Sequence, residues 1–234
     1  MKLYLIPTAL SSENTETIPQ YIAPAIRHIR HFLVEEEKSA RRFLKKIVAD
    51  LPIQECELFN LSEHTREDEL NEYLAKWKGK DIGILSEAGC PCVADPGADV
   101  VLWAHENNVE VIPLVGPSSI MLALMASGLN GQSFAFHGYL PKDKTERIKR
   151  LKTLEQKSER DRQTQIFMET PYRNDALLQD MLENGRPETL LCVAADLTLP
   201  EQWIKTMTIG EWRKSKIPSL NKRPALFLIQ ACNA

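Results

Sequence analysis

The sequence predicts an α/β protein of two consecutive domains, a mostly parallel sheet first and a mixed sheet second. Three observations carry that prediction. Short apolar, β-compatible runs alternate with amphipathic stretches of helical spacing through the first half. A long loop, Ser86–Gly97, follows the buried-strand pattern of Asp81-Ile-Gly-Ile-Leu85 and feeds a helix-compatible stretch from Ala98. A second breaker cluster, Val115-Gly-Pro-Ser-Ser119, separates this series from another set of elements, which places the boundary between 1–115 and 116–234.

In order, Lys2–Ile6 reads as a strand ended by Pro7. Pro19 suits the first turn of the next helix, and Pro24 must kink that helix or delay its start. His31–Val34 is the second strand. The helix from Glu35 to Ala49 spaces Phe43, Leu44, Ile47 and Val48 along one face. Cys56–Phe59 is a third strand. Thr65-Arg-Glu-Asp68 resembles a capping box opening a helix with Leu70, Tyr73, Leu74 and Trp77 on one side. A strand at Val109–Leu114 closes the first domain. Ile120–Ser127 reads as a buried helix capped by Ser118 or Ser119. Then come a strand at Phe134–His137, a basic helix at Thr145–Leu154, a strand at Thr164–Met168 and a helix at Asn174–Leu182. Thr189–Ala195, Gln202–Thr206 (antiparallel) and Arg223–Gln230 complete the second sheet, with a short helix over Thr208–Lys214.

With 43% apolar and 26% charged residues, the chain has the composition of a globular protein, and its net charge of −3 gives no global field for a polyanion. Local basic patches remain compatible with that total. The five cysteines (56, 90, 92, 192, 232) include one C-x-C pair without a second pair or a nearby histidine, so neither zinc nor a disulfide framework is expected. No segment has the length and apolarity of a membrane span or a signal peptide, which points to the cytoplasm and reduced thiols. No two glycines lie two apart, so the dinucleotide fingerprint is missing, as are the phosphate-binding loop and the nucleophile elbow.

The Ser86–Gly97 loop is about twice the usual length of a strand-to-helix connection. Its small residues leave room for a ligand against the backbone, and its charge, from Glu87 and Asp95, is negative. That suits a cation better than a phosphate. Asp95 can equally cap the helix that follows.

Ile84-Leu-Ser-Glu-Ala-Gly-Cys-Pro-Cys-Val-Ala-Asp-Pro-Gly97 and Val111-Ile-Pro-Leu-Val-Gly-Pro-Ser-Ser119 resemble the tetrapyrrole methylase superfamily. They are most similar to its ribosomal-RNA branch, the small-subunit cytidine 2′-O-methyltransferases, with S-D-A-G-T-P-x-x-x-D-P-G and V-x-P-x-P-G-P-x-x. Looser matches run along the chain. Val34-Glu-Glu-Glu-Lys-Ser-Ala-Arg41 lies opposite A-E-D-T-R-x-T-R, Ser62-Glu63-His64 opposite H-E-H, Glu169-Thr-Pro-Tyr-Arg173 opposite E-S-x-x-R, and Ala194-Ala-Asp-Leu-Thr198 opposite A-R-E-L-T. The first-strand signature A-T-P-I-G-N-L-x-D is reduced to Ile6-Pro-Thr-Ala-Leu-Ser-Ser-Glu-Asn14, without its glycine. The branch also carries a further C-terminal segment, thought to grip RNA, that is not found in this sequence.

The resemblance implies S-adenosylmethionine (SAM) as methyl donor, a donor cleft between the two domains, and a homodimer. It implies donor contacts at Ser86, Glu87, Ala88, Gly89, Val93 and Asp95 in the first loop. Gly116, Ser118, Ser119 and Ile120 follow in the second turn, and Met168, Ala195, Pro224 and Ala225 in the second domain. Acceptor-side candidates are Glu35, Lys38, His64, Glu169 and Arg173. For Glu35 with Lys38 the plain alternative is a solvated ion pair, for Arg173 a helix cap, and for the Arg147–Lys152 helix a solvated face rather than an RNA contact. The expected acceptor is RNA, through a ribose 2′-hydroxyl of ribosomal RNA. A tetrapyrrole or other small molecule, or a SAM-binding dimer without catalysis, are the alternatives. No membrane, metal or catalytic base is assigned.

Overall fold

A computed structural model describes residues 1–11, 14–62 and 64–231. The motif positions Ser12, Glu13 and Glu63, and Cys232, lie outside the described residues. The chain divides into two compact units, Met1–Ser118 and Ser119–Ala234.

The first unit is a five-stranded sheet in the order β3-β2-β4-β1-β5, from β1 (Lys2–Ile6), β2 (His31–Val34), β3 (Glu57–Asn60), β4 (Ile82–Leu85) and β5 (Glu110–Pro113). Every pairing is parallel. Helices α1 (Ile22–Ile26) and α2 (Glu37–Ile47) bury Ile22, Ile26, Ala40 and Leu44 against Ile6, Phe32, Val34 and Leu85 on one face. Helices α3 (Glu67–Lys76) and α4 (Ala98–Glu106) bury Leu74, Val100 and Ala104 against Leu3, Leu33, Ile82 and Ile84 on the other. The strands therefore need apolar residues on both faces, which is why they read as unbroken apolar runs. The connections leaving β1 and β4, neighbours in the sheet, run over opposite faces, and the crevice beyond their carboxyl ends is where such sheets bind ligands.

Two local expectations are corrected. Pro19 is not in a helix; its carbonyl accepts the Ile22 amide, and α1 starts at Ile22 with Pro24 in its first turn, so the delayed start is the outcome. Thr65 forms no capping box. Arg66 is the N-cap of α3 without a side-chain bond, and Thr65 Oγ1 instead accepts the Ser62 amide at 2.8 Å. Glu67, Asp68 and Glu69 supply the negative first turn that complements the helix dipole.

The second unit opens with α5 (Ser119–Ser127). Its sheet, in the order β6-β7-β10-β8-β9, pairs β6 (Phe134–Tyr139) in parallel with β7 (Thr164–Met168). β8 (Leu190–Ala195), β9 (Trp203–Thr208) and β10 (Ala225–Gln230) enter antiparallel. Helices α6 (Lys144–Asp161), α7 (Asn174–Asn184) and α8 (Ile209–Trp212) pack Leu151, Leu154, Leu177, Met181 and Trp212 onto Phe167, Val193 and Phe227. α5 is buried on one side only: Ala123 and Leu124 are covered, while Met121 and Met125 are 45% and 75% exposed. α6 extends well beyond the expected Leu154, because it buries polar Glu155 and Ser158 where apolar periodicity breaks.

The basic run of α6 is also not one solvated face. Arg147 is buried and donates to Asp180 at 2.8 Å through Nε and to the Lys142 carbonyl at 2.8 Å. Removing one member of a buried ion pair strands the other, at about 3–5 kcal/mol. Arg147→Ala is therefore expected to lose about that much stability in urea titration, and Arg147→Met with Asp180→Leu much less. Equal losses in the two variants would remove the electrostatic explanation.

Candidate functional site

In the first unit three loops meet at the carboxyl ends of β1, β4 and β5. Thr8 and Gly89 exchange backbone hydrogen bonds, Thr8 N–H to Gly89 O at 2.8 Å and Gly89 N–H to Thr8 O at 3.2 Å. Ser86 Oγ donates to the same Gly89 carbonyl at 3.1 Å and lies 3.5 Å from the buried Thr8 hydroxyl. Gly89 has φ +86°, and a Cβ there would come within 3.3 Å of the Pro117 carbonyl oxygen. Gly116 sits against Pro7 so closely that a Cβ would fall 2.1 Å from Pro7 Cβ. The Cys90 thiol lies 3.4 Å from the Pro117 carbonyl oxygen. Two non-glycine residues of the long loop, Cys92 and Ala94, hold positive φ of 65° and 64°, a strain that concentrates at ligand-binding loops.

Electrostatics at this end are set by three carboxylates. Glu35, just beyond β2, accepts the Glu87 amide at 2.9 Å, and the Ser39 hydroxyl donates to Glu87 at 2.5 Å. Burial raises the Glu35 pKa, the Glu87 amide opposes that rise, and the Glu87 charge adds to it. Asp95 is pushed up to about 7, first by burial and then by Glu35 and Glu87. No side chain caps α4, whose N-cap is Gly97, so Asp95 is not its capping residue. Among the described residues no Lys or Arg forms an ion pair with any of the three carboxylates. Burial, aided by Asp95, pushes the Cys92 thiol up to about 11, which removes it as a thiolate nucleophile near neutrality. Among the described residues there is no group of three His, Cys, Asp or Glu placed to hold a metal ion. Half-buried carboxylates such as Glu35 and Asp95, without a cationic partner, suit a ligand that brings its own positive charge.

Sequence-predicted residues separate accordingly. Ser86, Glu87, Gly89, Asp95, Gly116 and Glu35 belong to this one region. Ala88 and the half-exposed Val93 lie within the same loop, and Ser118 ends the turn that begins at Gly116. The Glu35–Lys38 ion pair does not form; Lys38 is exposed on the first turn of α2, and Glu36 caps that helix. His64 stands beyond edge strand β3, exposed, in the turn whose Ser62 hydroxyl accepts its amide at 3.2 Å. Thr8, which bridges the loops, was missed, since the strand-end signature is degraded around it.

In the second unit Ser119 and Ile120 begin α5. Ala195 pairs with Ala225 and Met168 with Leu226, so the ends of β7 and β8 and the start of β10 lie side by side. Glu169 binds Arg173 at 2.5 Å and accepts the Thr170 amide at 2.7 Å. Glu169 Oε2 and Arg173 Nε are buried without a hydrogen-bond partner. Arg173 occupies the N-cap position of α7, but its side chain turns to Glu169 and makes no capping hydrogen bond. A second pair escaped sequence reading: Arg223 Nε donates to Asp196 at 2.5 Å, and the Asp196 amide donates to Pro224 O at 2.9 Å, which fixes Pro224. Asp196 has φ +50°, a backbone state its residue type tolerates but does not announce.

Comparison with known proteins places this geometry. The profile of the family described as Tetrapyrrole (Corrin/Porphyrin) Methylases matches residues 11–212. The chain is 31% identical over 210 residues to the "Ribosomal RNA small subunit methyltransferase I" of Vibrio cholerae, covering 89% of this chain and 69% of that protein. It is 30% identical over 182 residues to the protein of that name from Bacillus subtilis, covering 77% of this chain and 59% of the other. The crystal structure of a diphthine synthase shares the fold, with a TM-score of 0.67 at 14% identity, over 99% of this chain and 90% of that one.

The packing of Gly116 on Pro7 generates a direct test. Gly116→Ala has no room for its methyl and must spread β5's loop from β1's. Overpacking of this kind costs about 1–3 kcal/mol. The variant is expected to fold with that loss of stability and to weaken donor binding about tenfold or more by calorimetry. Unchanged donor affinity would separate the loop cluster from the donor site.

Proposed function

The chain belongs to the tetrapyrrole methylase family and is a SAM-dependent methyltransferase, and on that premise we propose that its acceptor is ribosomal RNA, methylated on a ribose 2′-oxygen. The donor is proposed to be held at the strand-end loops of the first unit by Ser86, Glu87, Gly89, Asp95 and Gly116. The observation that carries the donor assignment is the pair of half-buried carboxylates Glu35 and Asp95, with the exposed Glu87 between them and no Lys or Arg paired to any of the three among the described residues. SAM, when bound, supplies a methyl group on a positively charged sulfur.

The chain's own contribution is placement. The Thr8–Gly89 bridge and the Gly116–Pro7 contact fix the backbone that a donor would lie against. An ionised Asp95 offers a counter-charge to the sulfonium. Methyl transfer would form an oxygen–carbon bond as the carbon–sulfur bond breaks, its electron pair going to sulfur to leave a neutral thioether and the hydroxyl proton passing to water. Holding the acceptor oxygen in line can supply roughly 7–11 kcal/mol of such a barrier.

RNA is favoured over a tetrapyrrole by the relatives' shared name; the larger cavity beside the loop is acidic and favours neither anion. That cavity, about 790 Å³, runs between α3 and α4 and is lined by Glu67, Asp95, Asp99 and Glu106, with no Lys or Arg among its described lining residues. The half-exposed α5, with Met121 and Met125 outward, supports a second copy of the chain as partner. The relatives named for ribosomal RNA support placing the enzyme's work in the cytoplasm, beside ribosomes; no helix among the described residues is long and apolar enough to cross a membrane.

Incubation with tritiated-methyl SAM and small ribosomal subunits from a strain lacking the gene tests the acceptor. Label is expected in RNA at one nucleotide whose 3′ linkage resists alkali, the mark of 2′-O-methylation. Label confined to protein or to small molecules, or SAM binding without transfer to any of them, would overturn the proposal.

A further inference from the structure

At the carboxyl end of β7 the second unit makes two tight turns that hold each other. In the first, Thr170-Pro-Tyr-Arg173, the Arg173 amide donates to the Thr170 carbonyl at 2.9 Å, which puts Pro171 and Tyr172 at the corners. In the second, Leu220-Asn-Lys-Arg223, just before β10, the Arg223 amide donates to the Leu220 carbonyl at 3.1 Å. Asn221 and Lys222 take its corners. The Lys222 amide donates to the Pro171 carbonyl at 3.0 Å and locks the turns together. Lys222 holds φ +63° there, a left-handed state that glycine usually fills.

Buried polar groups anchor both turns. The Glu169 side chain, fully buried, binds Arg173 at 2.5 Å and the Thr170 amide at 2.7 Å. Asn174, also buried, donates through its side-chain amide to the Arg223 carbonyl at 2.6 Å. The Asp175 carboxylate accepts the Leu220 amide at 2.6 Å and the Ser219 hydroxyl at 2.8 Å. What this anchoring presents is exposed. Tyr172 is 76% exposed, and Lys222 on the other turn is exposed as well. Neither side chain forms an ion pair or hydrogen bond among the described residues. A second ring stands at the next strand end. The register of β6 on β7 slips between Phe136 and Tyr139, which brings the exposed Tyr139 level with Met168.

We propose that Tyr172 stacks on an unpaired base of the acceptor strand, with Lys222 taking a neighbouring phosphate and Tyr139 offering a second ring. The inference deepens the RNA reading and rests on it. Single-stranded RNA is gripped through bases turned out onto aromatic side chains, while lysines follow the backbone. A ring whose backbone is already fixed loses little freedom on binding, so most of the stacking energy is kept. A strained lysine beside that ring is what such a platform requires, since a glycine would fit the turn better and carry no charge. Glu169 and Arg173 gain a task from this arrangement. They are positioning residues that hold the turn carrying Tyr172.

The test measures methyl transfer by the full chain to small ribosomal subunits from a strain lacking the gene. Variants are Tyr172→Ala, Tyr172→Leu, Tyr172→Phe and Lys222→Gly, the last compatible with the left-handed turn. Tyr172→Ala is expected to raise KM for the subunits about tenfold, the loss of one stacked base. Its kcat at saturation and its calorimetric SAM affinity should stay within twofold of wild type. Tyr172→Phe, which keeps the ring, should match wild type within twofold, and Tyr172→Leu should recover little. Lys222→Gly is expected to lessen the slope of log KM against log salt by about 0.7, one single-strand phosphate contact. KM unmoved in Tyr172→Ala, or restored in full by Tyr172→Leu, would overturn this inference alone. So would a smaller sedimentation mass for Tyr172→Ala, which would mark the ring as a contact between copies. Absence of transfer to RNA by the wild-type enzyme would overturn the acceptor reading, and this inference with it.

Discussion

The backbone bridge between Thr8 and Gly89 is the constraint on which the rest of the site depends. It ties the ends of β1 and β4, the two neighbours whose connections part to opposite faces of the sheet. Once they are tied, Pro7 is fixed, and Gly116 must be a glycine to lie on it. Gly89 can then approach the Pro117 carbonyl oxygen, and the Cys90 thiol seats against the same turn. Three loops of unrelated sequence become one rigid rim. Preorganisation of this kind is what a displacement reaction needs from a protein, since orientation supplies more of the barrier than acid–base chemistry does.

The rim is built at an electrostatic cost. Asp95 is half-buried and faces the charges of Glu35 and Glu87, and burial first, then those two carboxylates, raise its pKa to about 7. A fold optimised for stability alone would place a lysine or a neutral residue there. The unfavourable arrangement makes sense for a site whose ligand brings the missing positive charge, and strained or destabilised groups of this sort cluster at functional sites.

Much of this was legible in the sequence, and the reasons are specific. Doubly covered strands such as Ile82–Leu85 leave unbroken apolar runs, and breaker clusters such as Val115–Ser119 mark loops whatever the tertiary context. The Ser86–Gly97 loop announced itself through length, glycines and charge. What stayed hidden depends on which strands become neighbours. Glu35 meets Glu87 only because β2 pairs with β4, across 52 residues of chain. Arg147 read as surface charge because its partner Asp180 lies on another helix, and the buried Glu155 and Ser158 concealed the true length of α6. At Thr65 the local capping pattern was present, but Ser62 took the hydroxyl first. The platform of Tyr172 and Lys222 was invisible for the same reason. Its two turns lie far apart in the chain and meet only through the Lys222 amide.

The central claim is that the half-buried carboxylates of the first unit, Glu35 and Asp95, hold the positive charge of the donor, with Asp95 as the group that titrates near neutrality. Burial raises its pKa, so it is a carboxylate above pH 7 and a neutral acid below, and a cationic ligand favours the carboxylate form. Calorimetric titration of SAM into the wild-type protein and into Asp95→Asn, at pH 8 and pH 6, is the most direct measurement. Wild-type affinity is predicted to fall about tenfold from pH 8 to pH 6, the drop expected for a group half-ionised near pH 7. Asp95→Asn is predicted to bind more weakly at pH 8 and to lose most of the pH dependence. Wild-type affinity that is flat across this range, or an Asn variant that binds as tightly at pH 8, would contradict the account.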